Sequence, residues 1–375
     1  MGASIHSPYS TEFSSMKITD ILKLHNATLP LFSFEFSPPS TPQGEALLQP
    51  RISNLAKTSP AFASVTWGAG GTSTNKSLAM AVALQGKGLE VLMHITTSNT
   101  TSAEIVSKLI VAKDAGIKNL LVLRGDRVDP NSYSSRGVKE SVDSVASPHA
   151  FDHANELVSF IREKFSDSFC IGVAAYPEMH PESKNEEEDL KYLKQKVDSG
   201  ADFILTQFFF NASIYHPWVR KVRALGINHP IIPNVMVFRN ATSLEKLIGL
   251  AKVNLPYALR RQLDANLGKK EIEALGIKTS TEIMENLISS RENYNDLPCV
   301  HLSTLNQEDS VKQVLQNVGW SWPQNQGSKN KRCLQSLKIP ISVIHFSKPG
   351  HLCESRLFML YYLIYINTSG IVYLS

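Results

Sequence analysis

Cysteine is scarce in this chain, and the four residues present are spaced too widely to cooperate. Cys170, Cys299, Cys333 and Cys353 show no C-x-x-C spacing, which argues against a zinc site and against a disulfide framework. Charge of one sign is also in short supply. The 38 Lys and Arg exceed the 34 Asp and Glu by only four, too few for an electrostatic grip on nucleic acid. No apolar signal core follows Met1, and His6 stands where a myristoylation signal needs Ser or Thr. The apolar run Leu357–Ile366 falls short of the roughly 18–20 residues that span a bilayer. No nucleophile stands beside a base, and no cluster has metal-ligand spacing, so no metal is expected. These absences favour a reducing, cytoplasmic setting, with neither a membrane nor a nucleic-acid partner.

What the sequence does contain is a rhythm. With 375 residues, 42% of them hydrophobic, the chain can bury a full core. Short apolar runs predict strands at Phe32–Phe36, Phe62–Trp67, Val91–Ile95, Leu120–Leu123, Ile171–Ala175, Phe203–Phe208, Ile231–Val235 and Val300–Leu305. Amphipathic stretches between them predict helices, among them Glu45–Lys57, Ser102–Ala115, Glu186–Ser199, Thr242–Ala251 and Ser280–Ser290. Eight alternations over about 300 residues point to a closed α/β architecture, the (β/α)8 TIM barrel, with an open doubly wound sheet as the alternative. The expected organisation is an N-terminal extension with a lead-in helix over 1–30, the barrel over 31–322, and a disordered or loosely docked tail over 323–375.

Polar groups gather at the predicted strand ends, where barrel enzymes place their chemistry. In Phe32-Ser33-Phe34-Glu35-Phe36-Ser37-Pro38-Pro39 a lone carboxylate lies among aromatic residues. Burial there would raise the pKa of Glu35 toward the range of a general acid, although an outward-facing position on an edge strand is an equal reading. Thr66-Trp67-Gly68-Ala69-Gly70-Gly71 is Gly-rich but lacks the lysine of a P-loop, and an ordinary βα turn explains it as well. His94 closes the third strand. Arg124-Gly125-Asp126 closes the fourth, either gripping a phosphate and a ring or forming a surface ion pair. After the fifth strand come Tyr176 and His180, and then Asp189, Tyr192 and Lys196, whose spacing predicts one helical face, solvated by default. Gln207, beside Phe208, Phe209 and Phe210, suits a planar heteroaromatic ligand. Acid, anion, cation and aromatic surface together suit a cofactor that brings its own redox chemistry.

In these segments the chain resembles the methylenetetrahydrofolate reductase family. The resemblance rests on Phe34-Glu35-Phe36-Ser37-Pro38-Pro39, Ser64-Val65-Thr66-Trp67-Gly68-Ala69-Gly70-Gly71, Leu123-Arg124-Gly125-Asp126, Ala174-Ala175-Tyr176-Pro177-Glu178-Met179-His180-Pro181-Glu182 and Thr206-Gln207-Phe208-Phe209-Phe210, in that order. It implies a barrel that holds FAD, takes a hydride from NADPH or NADH, and passes it to methylenetetrahydrofolate in a ping-pong reaction. It further implies Glu35 as general acid, with Asp126 near both flavin and folate. FAD would be held by Thr66, Trp67, Ala69, His94, Arg124, Gly125, Asp126, His153, Ala154, Tyr176, His180, Ser183, Asp189 and Lys196. The substrate would meet Asp126, Gln207, Leu247, Ser303 and Gln307.

Departures from the family pattern are specific. His153 replaces a usual tyrosine, Ser303 an aromatic residue, and Gln307 a cation. Asn234 and the residues after it lack the usual glycine and second proline. The changes on the last strand imply weaker folate binding, or alternatively an FAD-binding, catalytically weak partner subunit. Another (β/α)8 flavin oxidoreductase would be indifferent to folate. The family also implies a homo-oligomer. Residues 323–375 are too few for the S-adenosylmethionine-binding domain of eukaryotic relatives, so insensitivity to that ligand is expected.

Overall fold

Strands buried on both faces read as unbroken apolar runs, and here eight such runs close on themselves. A computed structural model describes residues 15–25, 29–67, 74–98, 100–125, 151–265, 267–291 and 297–321. The expected tail over 323–375, together with Ala69 and Asp126, lies outside the described residues.

The elements follow in the order α1 (Ile18–Leu24), β1 (Leu31–Phe36), α2 (Pro42–Ala56), β2 (Ala63–Val65), α3 (Thr74–Gly86), β3 (Val91–Thr96), α4 (Ser102–Asp114) and β4 (Asn119–Leu123). Then come α5 (Ala154–Phe165), β5 (Cys170–Ala175), α6 (Glu186–Asp198), β6 (Phe203–Phe208), a 3₁₀ turn at Ala212–Ile214, α7 (Tyr215–Ala224) and β7 (Ile231–Met236). The chain continues through α8 (Ala241–Ala251), α9 (Tyr257–Leu263), α10 (Lys269–Ser289), β8 (Cys299–Ser303) and α11 (Asp309–Asn317). Every strand pairs in parallel with its sequence neighbour, and β8 pairs with β1, so the barrel is closed and the open-sheet alternative is excluded.

Alternation along each strand sorts side chains into two cores. Phe32, Phe34 and Phe36 face outward into the layer shared with the helices. Leu92, Leu121, Phe203, Leu205, Ile232 and Cys299 fill the barrel interior together with Phe62, and Ile18 and Leu22 of α1 join that cluster. Asn119 ties α1 down: its Oδ1 accepts from the Ile18 amide at 2.7 Å and its Nδ2 donates to the Met16 carbonyl at 3.1 Å. Apolar side chains fill the interior at the α1 end, and toward the strand C-termini Ser33, Ser64, His301 and Glu35 make it polar. Within β5, Gly172 leaves the space that the Phe203 ring fills.

The β8–β1 seam is reinforced by side chains. Asn306 donates to the Ser37 carbonyl at 2.8 Å and accepts from the Ser37 amide at 3.0 Å, in effect extending the ladder by one pair. Thr304 donates its hydroxyl to the Glu35 carbonyl at 2.6 Å. Leu305 and Asn306 both adopt positive φ to make this turn.

Helix α10 begins at Lys269, well before the predicted Ser280, and α9 carries no expectation from the sequence. Gly276 of α10 lies directly against the Phe238 carbonyl, and a Cβ there would sit 1.8 Å from that oxygen. Gly276→Ala should therefore displace α10 and destabilise the fold by about 2 kcal/mol or more, read as a fall in the urea midpoint. An unchanged midpoint would show that α10 has room to move.

Candidate active site

The mouth of the barrel is built from inward-facing residues at the strand C-termini. Glu35 of β1 stands at its centre, with about a fifth of its side chain exposed. His94 Nε2 approaches its Oε2 to 4.0 Å from β3, and His301 Nε2 approaches to 3.9 Å from β8. Both contacts exceed hydrogen-bond length and act as short-range polar contacts. Glu35 thus faces inward, and the edge-strand reading falls.

The expected pKa of Glu35 needs correcting. Burial does push it upward, but the imidazoles of His301 and His94 and the Ser303 hydroxyl outweigh burial. Its carboxyl is held below the usual carboxylate range, so Glu35 is ionised at neutral pH in the open mouth. His94 behaves differently. Burial brings it down to about 4, reinforced by His301 and opposed by Glu35, so it is a neutral imidazole at pH 7.

Three buried polar atoms at the ends of β2 and β3 have no hydrogen-bond partner among the described residues: Thr66 Oγ1, Trp67 Nε1 and His94 Nε2, of which His94 Nε2 faces Glu35. Such groups each cost about 1–3 kcal/mol unless something bonds them. His94 offers its free nitrogen to the mouth, whereas Trp67 packs in the helix-side layer with Lys108 Nζ 5.5 Å from its ring centre.

A second group lies around β4 to β6. Arg124 holds Glu182 in a two-pronged contact, both N···O distances 2.7 Å, so its ion-pair partner is Glu182 of the β5–α6 loop. The Arg124 carbonyl accepts from Thr97 and Ser98, and Gly125 follows at φ +83° with Ser98 packed where a Cβ would project. Asp189 accepts from the His180 amide at 3.2 Å and the Ser183 hydroxyl at 3.1 Å, shaping the same loop. The Glu182 amide donates to His180 Nδ1 at 3.1 Å, which leaves the imidazole proton on Nε2, and burial and the nearby Arg124 hold this histidine below its usual range. Lys196 donates to the Ala174 carbonyl and lies 5.7 Å from the centre of the Tyr176 ring. Burial brings Lys196 down to about 8, against the pull of Asp189. The single helical face expected for Asp189, Tyr192 and Lys196 divides: Asp189 is buried and engages the loop, whereas Tyr192 is 46% exposed.

The remaining candidates are distributed around the rim. A register shift between Leu205 and Phe208 lets Gln207 Oε1 accept from the Phe208 amide at 3.0 Å. Leu247 of α8 packs partly buried against the core. Ser303 donates to Asn234 Oδ1 at 3.1 Å, so two of the departures from the family pattern bond to each other. Gln307 turns its amide back onto the Leu305 carbonyl at 3.1 Å and stays out of the centre. His153 is exposed at the N-terminus of α5, beside buried Ala154. Ser33, Ser64 and His301 also line this end of the barrel, bonded to one another, although no sequence motif gives them a role. Their signal is the polar residue at every second position of an otherwise apolar strand.

A concavity of about 420 Å³ between α10 and α11 is lined by Ala274, Ile277, Thr281 and Asn317 and by none of these candidates. Among the described residues no cluster of His, Cys, Asp or Glu could hold a metal, and no helix is long and apolar enough to cross a membrane.

Comparison with known proteins gives a concordant result. The family model described as methylenetetrahydrofolate reductase matches residues 17–319. A probable methylenetetrahydrofolate reductase (NADH) of Oryza sativa subsp. japonica is 35% identical over 77% of this chain and 48% of its own length. Methylenetetrahydrofolate reductase (NADH) 1 of Arabidopsis thaliana is 34% identical over 81% of this chain and 51% of its own. The chain therefore spans about half the length of the curated relatives it matches. Among solved structures, an uncharacterized Clostridium thermocellum protein that binds two copies of 5-methyl-5,6,7,8-tetrahydrofolic acid superposes with a TM-score of 0.58 at 12% identity. It covers 81% of this chain and 98% of that one, a likeness of fold alone.

The titration of His94 gives a signed expectation. The unfolded chain binds that proton near pH 6.5 and the folded chain only near 4. Between those values the unfolded state carries more protons, so stability falls as pH drops, by on the order of 3 kcal/mol. The lowered pKa of Glu35 acts in the same direction, its contribution being lost as pH falls through its folded pKa. His94→Gln should flatten the acid side of the stability–pH curve. An unchanged slope in denaturant titrations from pH 4 to 6.5 would remove His94 as its source.

Proposed function

Because this chain belongs to the methylenetetrahydrofolate reductase family, we propose that it reduces 5,10-methylenetetrahydrofolate to 5-methyltetrahydrofolate, with NADPH or NADH as reductant and FAD as cofactor. The observation that carries this reading is the mouth itself: one central inward-facing carboxylate with the buried imidazoles of His94 and His301 beside it, His94 Nε2 having no hydrogen-bond partner among the described residues. FAD, when bound, would supply two-electron storage, accepting a hydride from the nicotinamide and yielding it to the folate one-carbon unit in a ping-pong sequence.

The residues present fit such a group. Thr66, Trp67 and His94 offer polar atoms that need partners. Gly125, with no side chain and a positive φ, allows close backbone approach. Arg124, His180 and Lys196 supply donors and positive charge for a diphosphate, with Tyr176, Ser183 and Asp189 fixing their loop. His153, Ala154, Ala69 and Asp126 complete the proposed set. Gln207 and Leu247 would meet the folate.

Glu35 acts as the acid only when the mouth is covered. In the open mouth its neighbours hold it ionised. A planar ligand over it would remove its remaining exposure and raise its pKa, so Glu35 takes up a proton as the site fills. That proton then goes to the folate amine, opening the imidazolidine ring to the iminium that receives the hydride. His94, already neutral at pH 7, neither competes as an acid nor repels the incoming iminium. Ser303 and Gln307 offer less to folate than an aromatic ring and a cation would, at roughly 1–3 kcal/mol each.

The direct test is anaerobic absorbance of the FAD-loaded protein. NADPH or NADH should bleach the flavin, and methylenetetrahydrofolate should restore it. Glu35→Gln should keep the bleaching and slow the recovery at least 100-fold; normal recovery would overturn the acid assignment. Absence of bleaching by either nicotinamide would overturn the reductase reading. Separately, Trp67→Phe keeps the ring but removes a donor, and should weaken FAD binding about tenfold by flavin fluorescence. Unchanged affinity would take Trp67 Nε1 out of the cofactor site.

A further inference from the structure

Beneath Glu35 the barrel interior carries a polar network that the proposed chemistry leaves unused. His301 is fully buried on β8 and stacks on Phe62, ring centres 5.5 Å apart. Ser33 of β1 bonds its Nδ1 at 2.7 Å, and Ser64 of β2 bonds its Nε2 at 3.1 Å. That same Nε2 lies 3.9 Å from Glu35 Oε2. Three strands thus fix one imidazole directly under the carboxylate.

The arrangement selects a tautomer. A bare nitrogen lone pair facing an ionised oxygen is repulsive, so the proton belongs on Nε2, shared between Ser64 Oγ and the field of Glu35. Ser33 then donates its hydroxyl to Nδ1. Cys299, 3.6 Å from the Ser33 oxygen, does not compete as an anion, because burial pushes its thiol up to about 12. Among the described residues the titratable groups facing Glu35 are His94 and His301, with Ser303 as the neutral contact.

We propose that His301 is a positioning residue for Glu35, its imidazole fixed by Ser33 and Ser64 so that Nε2 stands 3.9 Å from the carboxylate and the ring's polar edge holds that carboxylate in place. The catalytic consequence rests on the reading of Glu35 as acid; the contact with Glu35 does not. The device separates two demands on one carboxylate. It stays charged while the mouth is open, and it yields only when a ligand strips away the last water.

The test follows the Glu35 carboxyl by infrared difference titration, assigned through its loss in Glu35→Gln. Replacing the imidazole by an apolar ring in His301→Phe should move the Glu35 midpoint up by about one pH unit. His301→Gln, which restores an N–H donor, should return most of that shift. Equal midpoints in wild type and both variants would overturn the proposal. Should His301→Phe fail to fold, Ser33→Ala carries the comparison, with a smaller upward shift expected and no shift overturning it. In folate-driven flavin recovery, the alkaline limb of the rate profile should move up with the midpoint in His301→Phe. A uniform loss of rate with an unmoved limb would show a merely structural role and overturn the proposal. If the wild type fails to reduce folate while the infrared shift is seen, the proposed activity falls and the positioning role stands.

Discussion

The site depends on the seam where the last strand meets the first. Only the parallel pairing of β8 with β1 brings His301 beneath Glu35 and sets Ser303 level with it. A slip of β8 by one residue in that register would turn His301 and Ser303 outward, away from Glu35. The seam is accordingly held by several side-chain bonds. Asn306 mimics a strand pair with Ser37, Thr304 bonds the Glu35 carbonyl, and Arg51 of α2 holds the Asn306 carbonyl at 3.0 Å. These bonds join residues from opposite ends of the folded chain, so they form late and only in the correct closure. The geometry of the carboxylate and the closure of the fold are therefore one constraint.

This explains which parts of the structure could be read in the sequence. The eight strands were legible because barrel strands are buried on both faces and read as apolar runs. Even their inward face was marked, by Ser33 and Glu35 on β1, Ser64 on β2, His94 on β3 and His301 on β8. What could not be read was the company each residue keeps. The pKa of Glu35 was expected to rise because its visible neighbours were phenylalanines, yet those rings point away from it, toward the helices. Its true neighbours are imidazoles delivered by β3 and β8. Arg124 similarly meets Glu182, delivered by the loop after the next strand, a contact no local motif announces. Helix α10 was read short because its first half, Lys269–Thr279, is rich in charge and carries few apolar residues to mark a buried stripe.

Local pairing also accounts for a departure that looked damaging in isolation. Asn234 and Ser303 each differ from the family pattern, and each alone would place an unpaired polar group in a buried wall. Together they satisfy one another at 3.1 Å, and the Asn234 amide finds Thr206. The wall they build is small and polar where an aromatic ring would be large and apolar. It makes the β7–β8 side of the barrel small and polar without touching His94 on β3.

The charges divide the mouth into two territories, and the division is what the proposed chemistry needs. Around β4 to β6, Arg124 and Lys196 present positive charge. Lys196, at about 8, still carries its proton at neutral pH despite burial, because Asp189 opposes the desolvation. Around β1, β3 and β8 the single formal charge required is the carboxylate of Glu35, with His94 neutral beside it. An anionic cofactor tail settling near Glu35 would raise the acid's pKa by repulsion and trap it protonated. One settling on Arg124 and Lys196 leaves the acid free to respond to the planar ligand alone. A protein interior screens such charges poorly, so separating the two territories decides whether Glu35 titrates with the filling of the mouth or with the arrival of the cofactor.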